Sequence, residues 1–373
     1  MFLALKEMAR AKVRFGLLIA AIALLVFLIL FQQSLQNQLL RSFVGAIENQ
    51  TAPVLVYSVD GQRTIQASVI TPDLEAAVRE VPDAAIVGRI GQGTFTAQTS
   101  VDVFDVSVLG YEFAEVGAPT EITGGRLAER TGEAVASDAD DADGFDIGDV
   151  VTLQPSGYEI EVVGLAANAQ LNGGPTLFAV YDTYLEAVSA QNPDAGTPLP
   201  NVLGVAPVDG VSADQLVEDV NAVSLDLDAF TKADAADATP GVSQIRTSFQ
   251  IIFLLYWLVV PCVTGLFFLI ITFQKAGSLT LLRAIGAPAS RLVSALFIQA
   301  VVIMAAGFGL GTLLYLPVSG LALGGLQLQF ETSAVIIWAV VLITLGLASS
   351  LLSARRVLRI DPITATTGAG VGR

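Results

Sequence analysis

The chain has 373 residues, of which 53% are apolar and 14% charged, and a mean hydropathy of +0.66, values that describe a partly membranous protein better than a soluble one. Its 19 basic residues face 35 acidic ones, a formal net charge of −16, which excludes a nucleic-acid binder, since phosphate contacts need clustered Lys and Arg. With no histidine and a single cysteine, Cys262, Ser-His or Cys-His catalysis, an intrachain disulfide and a Cys-rich metal site are also excluded.

The first 14 residues carry Lys6, Arg10, Lys12 and Arg14, and an uncharged apolar run follows at 15–31. With its flanks this run reaches the roughly 20 residues that a ~30 Å hydrocarbon core requires. A cleaved signal peptide is the alternative, but no small-residue cleavage site follows, and Leu35, Leu39, Phe43, Val44 and Ile47 continue a helical pattern. Three further apolar segments, 250–273, 292–318 and 333–353, are each long enough to cross. The expected fold class is a membrane α-helical protein with four transmembrane helices in a 1+3 arrangement and an inserted extracytoplasmic α+β domain at 32–246.

Orientation follows from cations near the membrane ends. Lys275, Arg283 and Arg291 stand in the 274–291 segment, and Arg355, Arg356, Arg359 and Arg373 in the 354–373 tail, whereas the 319–332 loop has no cation and carries Glu331. Both termini are therefore expected in the cytoplasm, with 32–246 and 319–332 outside a plasma (inner) membrane. Between Gln32 and Arg246 lie 32 acidic and 8 basic residues, so an anionic leaflet repels this domain.

Within it, alternating segments at 53–59, 86–98, 101–111, 150–154, 158–163 and 176–181 predict strands. Thr71 followed by Pro72 predicts a capped helix running toward Arg79, and Ser212 with Gln215 forms a capping-box pattern opening a helix through Val220. Asp138, Asp140, Asp141, Asp143, Asp146 and Asp149 crowd one stretch, but placing Gly144 at the turn of a calcium loop puts Ala139 first and Val150 last, where carboxylates are required. The stretch reads as a solvated acidic loop, and no metal site is expected. Asn49, Gln50 and Thr51 form a sequon at a helix end, to which no function is attached.

A phosphate-cradling loop needs Gly-Lys followed by Ser or Thr, and none of the four lysines follows a glycine. No catalytic residue is expected in this chain. The four spans hold no Asp, Glu, Lys or Arg of the kind that marks an ion path, and the uncharged polar Gln299 and Thr344 within them read as interhelical hydrogen bonding. Gly307, Gly309 and Gly311 in the third span, and Gly346, Ser349, Ser350 and Ser353 in the fourth, predict close helix packing, with Gly307, Gly311 and Gly346 as the contact points. In the 274–291 segment Leu281, Leu282 and Ile285 share one face of a brief helix that Gly286 can end. Such a ridge reads equally as an interfacial helix or as a docking knob for a cytoplasmic subunit.

The run Leu281, Leu282, Arg283, Ala284, Ile285, Gly286, Ala287, followed by a Gly-containing span, a final span, Ala354-Arg355-Arg356 and Ile360-Asp361-Pro362, resembles the FtsX/MacB-like ABC transporter permeases. So do Gly132-Glu133-Ala134-Val135, the stretch from Ile147 to Leu153, and the strand from Ile160 to Gly164. The resemblance covers nearly the whole chain and is nearest to compact DevC-like and haem-exporter-like permeases. It implies that Leu281 to Ala287 is a coupling helix seated in a separate cytoplasmic ABC ATPase, and that the helix around Phe2, Leu5 and Met8 lies along the membrane. It further implies a permease homodimer in contact with membrane lipid, ATP and Mg bound by the partner and no cofactor bound by this chain. Closure of the ATPases would then move the outer domains to extrude an amphipathic or lipid-borne substrate, or, as the alternative, to control a partner such as a cell-wall hydrolase. The outer domain has no histidine, and its stalk no methionine or tyrosine, so axial ligation of haem is not supported.

Overall fold

The computed structural model describes residues 12–194, 196–284, 289–323 and 326–358. The chain forms two compact units, one of residues Asn37–Arg246 and one of the residues up to Gln36 together with those from Thr247 onward. The first helix, α1 (Lys12–Glu48), is common to both.

In the Asn37–Arg246 unit α1 is followed by β1 (Val54–Ser58), α2 (Pro72–Arg79), β2 (Ala84–Gln98), β3 (Val103–Tyr111), β4 (Ile122–Gly125), β5 (Glu133–Ser137) and β6 (Val150–Gln154). Then come β7 (Tyr158–Ala166), β8 (Thr176–Val180), α3 (Tyr181–Gln191), β9 (Val202–Pro207), α4 (Ala213–Val223), β10 (Leu227–Thr231) and α5 (Lys232–Ala238). The strands pair in the order β10-β1-β9-β2-β3-β8-β5-β7-β4, and β6 joins both β2 and β7. The 15-residue β2 is shared between two substructures, because Ile86 to Ile90 pair with β9 while Thr96 to Gln98 pair with β6. The path β2-β3-β8-β5-β7-β6 thus returns to β2 and closes six strands into a ring, while β9, β1 and β10 form an open wing on the other half of β2. Closure leaves the ring strands without a free edge on which another chain could pair.

Residues two apart on one strand share a face, and the ring is filled accordingly by Phe95 and Ala97, Val106 and Val108, Val151 and Leu153, Ile160 and Val162, packed with Phe145. The wing buries Val54, Val56, Val87, Leu203 and Val205 against Val78 of α2 and Leu216 and Val220 of α4. Glycine makes room for α3 on the ring, since a Cβ at Gly91 or Gly110 would fall 2.2 or 2.4 Å from Tyr184. The cap of α2 is present, with Thr71 accepting the Leu74 N–H at 3.5 Å ahead of Pro72. At α4 only half of the predicted box forms: Ser212 accepts the Gln215 N–H at 3.2 Å, but the Gln215 amide donates forward to Asp219 at 3.0 Å.

The strand predicted at 150–154 has the observed bounds, those predicted at 53–59, 86–98 and 176–181 differ from the observed ones by one or two residues at their ends, and β7 runs on to Ala166. β3 starts at Val103 rather than 101, because the Thr99 hydroxyl accepts from the Val101 and Asp102 amides and holds a turn there. β4, β5, β9 and β10 were not expected from the pattern. β5 and the first four residues of β9 are buried throughout, so they lack the alternation of a half-exposed strand.

The second unit holds α6 (Val242–Ala284), shared with the first unit like α1, then α7 (Ala289–Tyr315), a short hairpin of β11 (Ala322–Leu323) and β12 (Leu326–Gln327), and α8 (Thr332–Leu358). Three of its helices are long and apolar enough to cross a membrane, over Phe15–Glu48, Val242–Leu266 and Phe297–Tyr315, which makes the chain a membrane protein. α8 contributes a shorter apolar stretch, Thr332–Ala348, so the described residues carry three full-length candidate spans where the sequence predicts four. α7 stops at Tyr315, short of the predicted 318, ahead of Pro317, whose missing N–H and fixed φ do not suit a helix interior. Phe15, Leu18, Ile22, Val26 and Ile29 line one face of α1 at helical spacing and pack with Ile303 and Met304 of α7 and Trp338 and Leu342 of α8.

Candidate functional site

Three places carry the functional reading: the 281–287 segment, the glycine contacts between membrane helices, and the ends of α1 and α6 within the Asn37–Arg246 unit. Leu281, Leu282, Arg283 and Ala284 are the last four residues of α6, which continues from Val242 without a break. They do not form the separate brief helix that the sequence predicts. Gly277 alone is too weak a breaker, at about 1 kcal/mol relative to Ala, to stop a helix of this length. Ile285, Gly286 and Ala287 lie outside the described residues, as do residues 1–11, with Phe2, Leu5 and Met8, and 359–373.

Among the helices, a Cβ on Gly307 would fall 2.5 Å from Ile22, and one on Gly311 2.5 Å from the Ala23 carbonyl oxygen. α7 therefore touches α1 backbone to backbone at this stripe. Gly309 lies off it, with open space at its Cβ position. Gly346 brings α8 against Met304 of α7, with a Cβ there 2.7 Å from the methionine methyl. At one end of these helices the Gln329 carbonyl accepts hydrogen bonds from Ser34 at 3.1 Å and Tyr315 at 3.2 Å, and Trp338 donates to Gln33 at 3.3 Å. Of the two polar groups noted in the sequence, Thr344 donates within its own helix, to the Val340 and Val341 carbonyls, and Gln299 is buried.

In the Asn37–Arg246 unit the last turns of α1 are fastened to the 167–174 segment between β7 and β8. The Ala46 N–H donates to the Gln170 carbonyl at 2.9 Å, and the Asn172 and Gly173 amides donate back to the Phe43 and Ser42 carbonyls at 3.0 and 2.8 Å. Gly45 lets this happen, since a Cβ there would meet the Asn168 carbonyl oxygen at 2.3 Å. The Asn49 side chain donates to the same oxygen at 2.8 Å, and its own carbonyl accepts from Thr120. The sequon asparagine is thus consumed by structure. α6 begins beside α5, where Arg246 pairs with Asp237, and Lys232 donates to the Gln50 carbonyl at 3.0 Å. Burial pushes the Glu48 carboxyl above its ordinary range, with Arg246 opposing.

The acidic stretch departs from the solvated loop expected of it. Asp138–Asp143 is a 3-10 turn, and Asp140 is only 3% exposed, accepting a 2.5 Å hydrogen bond from the Gln170 side chain. Burial of this carboxyl, with no cation beside it, pushes its pKa up to about 7. Among the described residues no set of three or more Asp, Glu or Cys is arranged to hold a metal ion.

No family model matches the chain. Along almost its whole length, however, it resembles a transport permease. It is 20% identical over 370 residues, 99% of either chain, to the "Putative hemin transport system permease protein HrtB" of Staphylococcus haemolyticus. The protein of the same name from Staphylococcus epidermidis is 25% identical over 123 residues, 33% of this chain and 35% of that one. Among solved structures, the periplasmic region of MacB from Actinobacillus actinomycetemcomitans aligns with a TM-score of 0.38 and 12% identity, over 52% of this chain and 95% of that one. The extracellular domain of the noncanonic ABC-type transporter YknZ from Gram-positive bacteria aligns with a TM-score of 0.32 and 14% identity, over 48% and 99%.

The grip of the 167–174 segment on α1 was not read from the sequence. Its signal is the run from Asn168 to Gly174, in which Asn168, Asn172 and Gly173 take positive φ, as short polar residues and glycine do most readily.

Proposed function

We propose that this chain is the permease subunit of an ABC-type, FtsX/MacB-like export or extrusion complex. The observation that carries this reading is the similarity to a hemin transport permease over 99% of both chains, which takes in helices and inserted domain alike. In this reading the protein is a four-span, 1+3 membrane protein with both termini in the cytoplasm and residues 32–246 outside, the orientation that its cations favour. Leu281 to Ala287 seat in a separate ATPase that binds the ATP and Mg, and two permease copies pair in the lipid bilayer. α1 and α6 each run unbroken between the two units, and this supports their role as the elements that carry motion to the outer domain. The substrate class is amphipathic or lipid-borne.

The test is co-purification with the cognate ATPase from membranes. Leu282→Asp or Ile285→Asp is expected to abolish it by placing a charge in an apolar seat, while insertion into the membrane is retained. Undiminished co-purification of both variants contradicts the docking role. A screen for amphipathic compounds that raise ATPase activity in the reconstituted complex then identifies the substrate.

A further inference from the structure

The acidic turn and the foot of α1 are joined through one loop, and the joint contains a buried acid. Asp140 lies in the 3-10 turn after β5 and is 97% withdrawn from solvent. One carboxyl oxygen, Oδ1, accepts the Gln170 amide at 2.5 Å, whereas Oδ2 is buried without a hydrogen-bond partner among the described residues. The backbone carbonyl of the same Gln170 accepts the Ala46 N–H of α1. Around this line the Asn168 amide donates to Asp138 and the Ala169 amide to Ser137, so the turn holds the loop at three successive residues while the loop holds α1.

We propose that Asp140 is a proton-operated bolt on the foot of α1: with the carboxyl protonated the 167–174 segment is held closed on the helix, and loss of the proton to solvent loosens that grip. The surroundings favour the neutral form. The charged groups acting on Asp140 are Asp143 and Asp138, both acidic and both on its own turn. The Gln170 side chain is the hydrogen-bonded donor that favours ionisation, and the Thr176 amide of β8 acts in the same direction without forming a hydrogen bond to the carboxyl. Glu121, preceding β4, and Asp141 face Asp138 with the same negative sign. The cations near the end of α1, Arg41, Arg246 and Lys232, act on Glu48 together with Asp237. An ionised Asp140 is therefore a buried charge beside like charges with one oxygen unpaired, a state relieved by letting water in.

The pH dependence has a defined sign. A carboxyl whose proton is held more tightly when the bolt is closed contributes stability that is complete below its ordinary pKa near 4 and falls as pH rises toward 7, with no further change above. Hydrogen exchange of the full chain in lipid nanodiscs measures this without ATPase or substrate, so its outcome is independent of the transport reading. After correction for intrinsic exchange, protection of the Ala46, Asn172 and Gly173 amides is expected to fall by roughly tenfold per pH unit between pH 5 and 7. Amides of β9 are expected to show no such slope. Asp140→Asn should flatten the profile at Ala46, and Asp138→Asn should leave it sloped. Gln170→Met, which removes a donor to the ionised form, should move the transition to higher pH. A flat wild-type profile overturns the proposal without any variant, as does a slope that survives Asp140→Asn or disappears only in Asp138→Asn.

Discussion

In the Asn37–Arg246 unit, carboxylates and guanidinium groups tie strands and helices together, whereas in the helical unit close approaches run through glycine. Glu75 sits almost wholly buried between Arg79 and Arg89, both at 2.9 Å, and Glu133 takes two bonds from Arg126 at 2.6 and 2.7 Å. Gly307 and Gly311 instead bring α7 onto the backbone of α1. The difference reflects the solvent each unit faces. In water, burial of Leu203 or Val205 supplies the driving force and ion pairs fix geometry. In hydrocarbon, lipid tails are as apolar as leucine, so helices gain by approaching closely and by pairing the few polar groups they hold.

Substitutions in each unit test that contrast. Leu203→Ala, at a fully buried wing position, should have the largest effect, about 2–5 kcal/mol of stability lost, read as a fall in the thermal midpoint of the full chain in detergent. An effect under 1 kcal/mol would mean that the wing core does not hold the outer unit. Gly311→Leu should cost about 1–3 kcal/mol by overpacking against Ala23 and Val26, and cysteine cross-linking between α1 and α7 should decline with it. Unchanged cross-linking would remove the close-approach argument. Glu133→Gln should be smaller near neutrality and visible mainly in acid. The Arg126 hydrogen bond holds this carboxyl down to about 2, so its contribution is present above the ordinary carboxylate pKa and is lost as pH falls from about 4.5 toward 2. The variant should flatten the acid limb of an unfolding curve, the opposite slope to that of Asp140. Ser212→Ala should cost least, about 1 kcal/mol, through the lost cap on α4.

Legibility in the sequence divides along similar lines. Long apolar runs, and segments that alternate or are rich in β-branched and aromatic residues, carry a signal, so the apolar helices and β1, β2, β3, β6, β7 and β8 could be placed from residues alone. β5 could not, because Glu133 to Ser137 holds a single β-branched residue, Val135, and shows neither a strong apolar run nor alternation. Ring closure was equally invisible, since nothing in the composition of β2 says that Ile86 to Ile90 and Thr96 to Gln98 take different neighbours. Asp140 shows the same limit at the level of a side chain. Six aspartates in twelve residues read as solvated, and only the long-range contact with Gln170, 30 residues away, removes one of them from water. Leu281 to Ala284 were expected in a separate brief helix, and they continue α6 instead because the one glycine just ahead of them, Gly277, is too weak to end a helix of that length.

In the proposed orientation the acidic 37–246 unit and the 281–287 segment face opposite sides of the membrane. Single cysteines placed at Ser156 and at Ser278, in a chain with Cys262 replaced by serine, can be probed in intact cells with a membrane-impermeant maleimide. Labelling at Ser156 but not at Ser278 until the membrane is opened is the predicted result. Labelling of both positions to the same extent before opening, or of neither, would contradict it.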